Sequence, residues 1–429
     1  MAKEAVIIGG SIGGLMCGVM LKHHGYTVTI LEKEDLVSRP GYDAGLSIRS
    51  EVLDFLEKHD RVKRDMFIAC EPGTLISLDG KPKAQRGQTM TLTSWALLVG
   101  VLRANFDGRT SKAIPIVPED RDSDGTATYI SGARVINVRD LGEKVQIDYE
   151  DAVDETKEMM SISADFVVVA DGSNSSIRSI LVPEVERKYA GYMLWRGTTR
   201  EGIIGQEWND LYSEKSTFSF GKGQYILNYT IPTDDGNLSP GKRLHNWLWY
   251  STMAADSPDL KELFTDINGK EHLSVLPRGL VKPEVWEKQK ALADSILPEG
   301  LAEIVKQSTS PFITKVFDVV SPKALFFSGK VFLVGDAQAT IRPNIGLGST
   351  HAAHDCNNLE RFIEGKITAE EWEKAVLRYS AVQASWLLLM LAQKTGLAYF
   401  AAVIEARAPA TAPISSGVIK SWQDSMPYA

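Results

Sequence analysis

The chain has 429 residues, 44% hydrophobic and 24% charged, with 47 Lys and Arg against 55 Asp and Glu for a net charge of −8. These values fit a globular protein of two or three domains or one composite fold, and the acidic balance argues against a nucleic-acid-tracking surface. Three cysteines in no metal-ligand spacing, with no leader pattern and no apolar run of membrane-spanning length, point to a cytoplasmic protein without disulfides or a transmembrane segment.

The first expected element is a strand that stops in glycines. Residues Ala5 to Gly14 read AVIIGGSIGG, a β-branched run of the kind buried in parallel sheets. The turn Gly9-x-Ser11-x-x-Gly14 leads into a helix from about Ile12. A second strand, TVTILEK, then brings Glu32 and Lys33 to its end. An acidic residue about 20 positions beyond the turn completes the dinucleotide-binding βαβ arrangement. Gly9, Gly10, Gly13 and Gly14 let backbone amides approach a pyrophosphate. The helix opening at Ile12 aims its positive end at the same anion, and Glu32 accepts from ribose hydroxyls. Ser11 stands where the pattern has its second glycine; its side chain is small and its hydroxyl is a phosphate donor.

A Pro-Gly loop carrying Arg39 leads to Gly45 and Leu46, and then to a helix over Ser50–His59. His23 and His24 end the first helix, where they complement its dipole. Residues 73–90 read as a short antiparallel excursion, and the helix from Thr93 carries Arg103. A period-two stretch containing Val145, Ile147 and Tyr149 precedes a buried strand, Phe166 to Ala170, that ends in Asp171-Gly172. From Leu181 to Pro311 aromatics are dense, and strand-like runs such as GQYILNYTIP and HNWLWYSTM alternate with turns. The strand Val331–Val334 ends at Gly335-Asp336. A glycine-rich loop with Pro343, Gly346, Leu347 and Gly348 follows, and a helix begins near Ser349 and Thr350. A helical tail runs from Thr368 to Arg407, and a loosely structured Pro/Ser-rich end follows it.

Three glycine- or aspartate-bearing turns thus follow three buried strands. Ligands gather at the carboxyl ends of parallel strands, so the three turns are expected to converge. The set resembles the class A flavoprotein aromatic hydroxylases, the para-hydroxybenzoate hydroxylase-like family. The resemblance covers residues 1 to about 380. YAGYMLWRG, the Trp247-x-Trp249 strand, SPDLKELFTD and SPFITKVFD look like its hydroxypyridine-oxidising branch. The flavin loop departs from the common pattern by carrying Leu347 where Gln is usual, as that branch also does.

The resemblance implies an α/β fold with a Rossmann-like FAD-binding domain of the GR2 type, an inserted antiparallel-sheet substrate domain and a C-terminal helical tail. The expected limits are 1–72, 91–180 and 312–367 for FAD binding, 73–90 and 181–311 for substrate binding, and 368–429 for the tail. It implies FAD as cofactor and NADH or NADPH as co-substrate. The reaction it implies is O2-dependent hydroxylation of a phenol or hydroxypyridine through a C4a-hydroperoxyflavin. Asp171 and Gly172 would serve both FAD and NAD(P)H, Arg103 would contact the cofactor, and the Val135 backbone would meet the adenine. Asp336 would bond the ribityl chain, and Gly346, Leu347, Gly348, Ser349 and Thr350 would face the flavin pyrimidine edge.

His245, Trp247 and Trp249 share one strand face by period two. That face offers a base and two stacking walls for a ring, or else it is sheet core. Trp195, Arg196 and Tyr225 are further pocket candidates, and Pro343 would shape the flavin face. His351 and His354 lie one turn apart without further ligands in register, so no metal site is expected. A homodimer is left open. The alternatives on the same scaffold are an FAD-dependent oxidase or dehydrogenase, and oxidative decarboxylation of an aromatic acid.

Overall fold

The computed structural model describes residues 3–34, 44–86, 89–152 and 158–394. Arg39, the Pro/Ser-rich end and the side chains of the Leu387–Leu391 cluster lie outside the described residues.

The chain begins with β1 (Glu4–Ile8), α1 (Ile12–His23) and β2 (Thr27–Glu32), the expected βαβ unit. Next come β3 (Gly45–Ile48), α2 (Ser50–His59), β4 (Ile68–Ile76), β5 (Pro82–Arg86), β6 (Met90–Ser94) and α3 (Trp95–Asp107). Ser94 caps α3 by accepting from the Leu97 N–H at 3.3 Å, and Gly108 ends it at φ 66°. β7 (Ala127–Ser131) precedes an antiparallel three-stranded sheet of β8 (Ala133–Asp140), β9 (Val145–Asp151) and β10 (Met159–Ala164). β11 (Phe166–Val169) and α4 (Ser176–Leu181) follow.

The aromatic region forms β12 (Lys188–Arg200), α5 (Gln206–Tyr212), β13 (Lys215–Gly221), β14 (Gln224–Ile231) and β15 (Leu244–Thr252). Behind them come α6 (Pro258–Leu263), β16 (Val275–Leu276), α7 (Pro283–Ile296), α8 (Glu299–Lys306) and β17 (Phe312–Val320). The last described elements are β18 (Leu325–Phe326), β19 (Val331–Leu333), β20 (Ala339–Thr340), α9 (Gly348–Ile363) and α10 (Ala369–Lys394). No described helix is long and apolar enough to cross a membrane.

Two sheets dominate residues 1–381, which make one compact unit. The first has six strands in the order β18-β19-β11-β1-β2-β7, parallel except for β18. Its central strands are buried on both faces, which is why β1, β11 and β19 read as unbroken apolar runs. Leu15, Val101 and Cys356 from the helices share the first core with Val168 and Phe332 of the sheet. The second sheet has 11 strands, along the path β16-β17-β12-β15-β14-β13-β4-β6-β3 with β5 and β20 off it. It runs past the limits expected at 73, 90 and 311, because β3 and β6 pair onto one end and β17 pairs with β12 near the other.

Register sorts the second sheet into two faces. Trp195 lies opposite Trp249, and Gly197 opposite Trp247. A Cβ at Gly197 would come within 2.5 Å of the Trp247 ring, so the missing side chain there makes room for the indole. This face packs on Val285, Ala293, Leu301 and Ile304 of α7 and α8, forming a second core. The opposite face carries Tyr192, Arg196, Tyr225, Tyr229, Asn246 and Tyr250, by strand alternation and register.

Candidate active site

The first strand tip closes on the second. Gly9 has φ 103°, and a Cβ there would lie 2.4 Å from the Ala170 carbonyl oxygen and 2.9 Å from the Asp171 nitrogen. At Gly14 a Cβ would meet the Gly9 oxygen at 1.9 Å. Only hydrogen fits at either position, which makes the turn tight enough to bare its amides. Ser11 is the N-cap of α1, yet its hydroxyl does not cap the helix; it accepts from Trp95 Nε1 at 3.4 Å. The first-turn amides of Ile12, Gly13 and Gly14 have no acidic neighbour on that turn, so the helix end remains an anion site. Gly13 also lets α9 approach, since its Cβ would sit 3.4 Å from that of Ala352.

Glu32 is buried at the end of β2 and accepts from the Gly10 N–H at 2.7 Å and the Glu34 N–H at 2.9 Å. Lys33 beside it is exposed. Tyr129 donates to the Gly10 carbonyl at 3.2 Å, and Arg103 lies 3.6 Å over the Tyr129 ring while pairing with Asp107. One ring therefore separates Arg103 from the glycine turn. Ser131 pairs with Glu32, and Val135 follows on β8 where the register with β9 shifts between Val135 and Asn137.

Arg178 joins the second tip to the third. Its guanidinium is buried and donates to the Ser173 carbonyl at 2.9 Å and the Ala337 carbonyl at 2.9 Å. Asp171 and Asp336 flank it, and burial pushes both carboxyls above their ordinary range. Gly172 follows Asp171 at φ 81°, a left-handed position with open space beside it. At the third tip the turn Pro343–Ile345 ends on Gly346 at φ 63°, where a Cβ would press on Ser47 at 3.1 Å. Ser349 donates to the Ser47 carbonyl at 3.2 Å, which ties the start of α9 to β3 beside Gly45 and Leu46. Leu347 is the N-cap of α9 and offers no side-chain cap, so the amides of Gly348, Ser349 and Thr350 stay available.

Four buried polar atoms around these tips make no hydrogen bond: Asp171 Oδ1, Asp336 Oδ1, Thr350 Oγ1 and His351 Nδ1. Buried polar groups are ordinarily paired, and such a set marks the place of a polar ligand. Two carboxylates, a hydroxyl, an imidazole and two uncapped helix starts suit the hydroxyls, pyrophosphate and pyrimidine edge of FAD. The residues present fit that cofactor.

The second sheet meets this site through its tyrosine face. Tyr192 donates to Asn344 Oδ1 at 2.5 Å, and Asn344 Nδ2 donates to the Tyr225 hydroxyl at 2.7 Å. The Gly45 N–H donates to Asn246 Oδ1 at 3.0 Å, and a Cβ at Gly45 would strike the Tyr229 ring at 2.3 Å. Tyr225 and Tyr250 stack with centroids 4.4 Å apart. The Tyr250 hydroxyl, Arg196 Nε and Asn246 Nδ2 are buried without hydrogen-bond partners. Burial holds Tyr192, Tyr225 and Tyr250 in the protonated form, and it pushes Tyr229 up to about 12. Burial opposes the charge on Arg196 and the Arg278 cation nearby disfavours it further, while the Phe312 ring lies 5.2 Å from its guanidinium carbon. Among the described residues, neither carboxylate nor imidazole is one of the groups acting on it.

Of the expected pocket residues, the structure brings Arg196, Tyr225 and Pro343 to this junction. It does not bring His245, Trp195, Trp247 or Trp249 there. Trp247 donates to Ser308 at 2.6 Å and Trp249 to Gln224 at 2.9 Å, both inside the helix-covered core, where Trp286 packs on Trp195 and Trp247. His245 is fully buried beside Asn209, 3.2 Å away, and burial lowers its pKa to about 4. The period-two grouping of these residues holds, but helices α7 and α8 cover the face they share. Tyr192, Tyr229, Asn246, Tyr250 and Asn344 were not among the expected residues. The signal for the first four was the alternate register of the same strands, where hydroxyl-bearing rings and an amide recur; Asn344 lies in the loop after Pro343 and carried none. A separate surface cleft lined by Lys112, Thr198, Arg200, Ile203, Thr233 and Asp235 holds none of the cofactor candidates.

Comparison with known proteins agrees with this architecture. An FAD binding domain model matches residues 2–196, and an FAD binding domain-like model matches residues 189–318. The 2,6-dihydroxypyridine 3-monooxygenase of Paenarthrobacter nicotinovorans is 26% identical over 354 residues, 82% of this chain and 81% of that protein. The FAD-dependent urate hydroxylase of Klebsiella oxytoca is 27% identical over 362 residues, 82% of this chain and 79% of that protein. The solved 2,6-dihydroxypyridine-3-hydroxylase of Arthrobacter nicotinovorans has the same fold, with a TM-score of 0.78, 22% identity, and coverage of 92% of this chain and 93% of that one.

Proposed function

On the premise of the FAD binding domain model that matches residues 2–196, we propose that the chain is a monooxygenase hydroxylating an electron-rich aromatic or heteroaromatic ring with NAD(P)H and O2. The observation that carries this reading is the tyrosine face with Arg196, bonded through Asn344 to the loop that begins at Pro343. The relatives named for dihydroxypyridine and urate oxidation support a small, oxygen-bearing, electron-rich ring as substrate class.

FAD supplies, when bound, acceptance of a hydride from NAD(P)H and activation of O2. The protein's part is to hold both partners and to tune charge. The amides of Ile12, Gly13 and Gly14 would hold the pyrophosphate, Glu32 the ribose and Asp336 the ribityl hydroxyls. The start of α9 would stabilise negative charge on the flavin pyrimidine edge. Arg196 favours the ring as its phenolate-type anion, which raises the nucleophilicity of the carbon to be hydroxylated. Tyr250, held protonated, donates to a ring oxygen. The Tyr225–Tyr250 stack supplies an apolar wall that excludes water. His245 is buried beside Asn209 on the other face of the sheet, so the anion forms before or during binding rather than through it. The three free, buried cysteines agree with the cytoplasmic, reducing setting proposed with this reading.

The test is direct. Purified protein is expected to be yellow and to oxidise NADH or NADPH faster in the presence of a phenol or hydroxypyridine from a panel. The product should have gained one oxygen atom. NAD(P)H oxidation that no ring compound stimulates, or a product formed without oxygen gain, overturns the reading.

A further inference from the structure

Strand register arranges the tyrosine face as an apolar floor with a polar rim. Leu248 on β15 and Leu227 on β14 lie opposite each other at its centre, and Arg196 on β12 lies opposite Leu248 from the other side. Two residues along β15 in either direction stand Tyr250 and Asn246, paired with Tyr225 and Tyr229 on β14. Tyr250 and Asn246 are thus roughly 13 Å apart along the strand, and the Arg196 backbone runs about 5 Å to one side of their midpoint. A patch of that size suits one substituted ring, with polar groups at both ends and along one edge.

The polarity of those groups is fixed by what they already bind. A backbone amide can only donate, so the 3.0 Å contact from the Gly45 N–H determines which end of the Asn246 side chain is oxygen. The other end, Nδ2, is a donor, and it is buried without a hydrogen-bond partner on a residue 1% exposed. Arg196 Nε is a second donor, likewise buried and unbonded, and a guanidinium has no accepting atom. The Tyr250 hydroxyl is the third such group and can donate or accept. Asn344 Nδ2 donates to the Tyr225 hydroxyl, which leaves that hydroxyl's own proton to point elsewhere.

We propose that this pocket selects its ring by hydrogen-bond polarity: Asn246 and Arg196 admit a ring that presents acceptors to both and reject one that presents an N–H to either. The inference rests on the reading of this face as the ring pocket and narrows it. The substrate class is a ring bearing an oxo or oxyanion group towards Arg196 and a second acceptor, a ring nitrogen or another oxygen, towards Asn246. The physical basis is an asymmetry. A buried donor met by an acceptor gains a modest amount, whereas a buried donor met by another donor stays unsatisfied and keeps its whole desolvation cost. Sites built this way discriminate more steeply than apolar pockets do. Asn246 is therefore a specificity-determining residue, and its bond to Gly45 keeps the amide from turning its oxygen inward.

The experiment is titration of the flavin absorbance of the FAD-loaded full-length protein with 3-hydroxypyridine and with 3-aminopyridine, at a pH where the hydroxyl is ionised. Wild type should bind the hydroxy ring about tenfold more tightly, or better. Asn246→Asp keeps an oxygen for the Gly45 N–H and turns the donor into an acceptor, so it should cut that ratio by roughly tenfold. The ratio is read within one protein, so a general loss of packing does not move it, and the wild-type value decides even if the variant fails to fold. Equal affinity for the two rings, an absorbance that neither ring changes, or a ratio unaltered in folded Asn246→Asp overturns the proposal. A protein that shows the preference and transfers oxygen to no ring ends the hydroxylase reading instead and leaves the polarity rule in place.

Discussion

Arg196→Met separates a binding role from a structural one, because the two predict opposite signs for stability. The Arg196 guanidinium sits on the tyrosine face with Nε buried and unbonded, and no carboxylate among the described residues acts on it. A half-buried charge whose Nε is buried and unbonded is a liability in the free protein, so replacing it with an apolar side chain of similar length should leave the unfolding temperature unchanged or raise it. Substrate binding should move the other way. A hydrogen bond to a charged group contributes about 1.5–3 kcal/mol, which is a loss of roughly 10- to 150-fold in affinity for an anionic ring. The assay is titration of the flavin absorbance with a hydroxypyridine or phenol, paired with thermal unfolding of the same samples. Wild-type affinity should rise as pH passes the pKa of the ring hydroxyl, and the variant should lose that dependence. Unchanged affinity together with a fall of several degrees in unfolding temperature would refute the reasoning and make Arg196 a structural residue.

Asp336→Ala should abolish flavin retention, because its partnerless Oδ1 is the acceptor assigned to the ribityl chain; full FAD occupancy on gel filtration would contradict that. Trp247→Ala should destabilise the protein by about 3–5 kcal/mol, the range for removing a fully buried large aromatic, while the folded fraction keeps its KM. A denaturant midpoint equal to wild type, or a raised KM in stable protein, would return this residue to the pocket. His245 is buried neutral with its pKa lowered to about 4, so the unfolded chain binds the extra proton between pH 6.5 and 4. Its contribution to stability is complete above pH 6.5 and is lost as pH falls towards 4. His245→Gln should flatten that limb of the stability curve, and an unaltered limb measured by urea unfolding would remove His245 as its source.

The nucleotide-binding half was legible because its signals are local. A β-branched run, a glycine turn and an acidic strand end lie within the first 32 residues, and each turn in the set sits directly after its strand. The orientation of the second sheet was not legible in the same way. In HNWLWY the alternation separates His245, Trp247 and Trp249 from Asn246, Leu248 and Tyr250, but it does not say which set meets the cofactor. That choice is made by α7 and α8, some 35 to 60 residues downstream, whose apolar sides cover the tryptophans. The bulk of tryptophan invites a stacking role, yet its size is also what fills a core. Asn344 was hidden for a different reason, since a loop amide acquires meaning only when two distant phenols, Tyr192 and Tyr225, are found on either side of it.

Arg178 reaches the backbone of two different turns with the two arms of a single planar group. The gap between those turns is accordingly set by the span of one rigid fork, before any cofactor is present. Lysine, with one ammonium on a flexible stem, could hold either carbonyl but could not gauge the distance between them. Whatever docks there finds a berth already cut to length and spends little of its affinity on rearranging the walls.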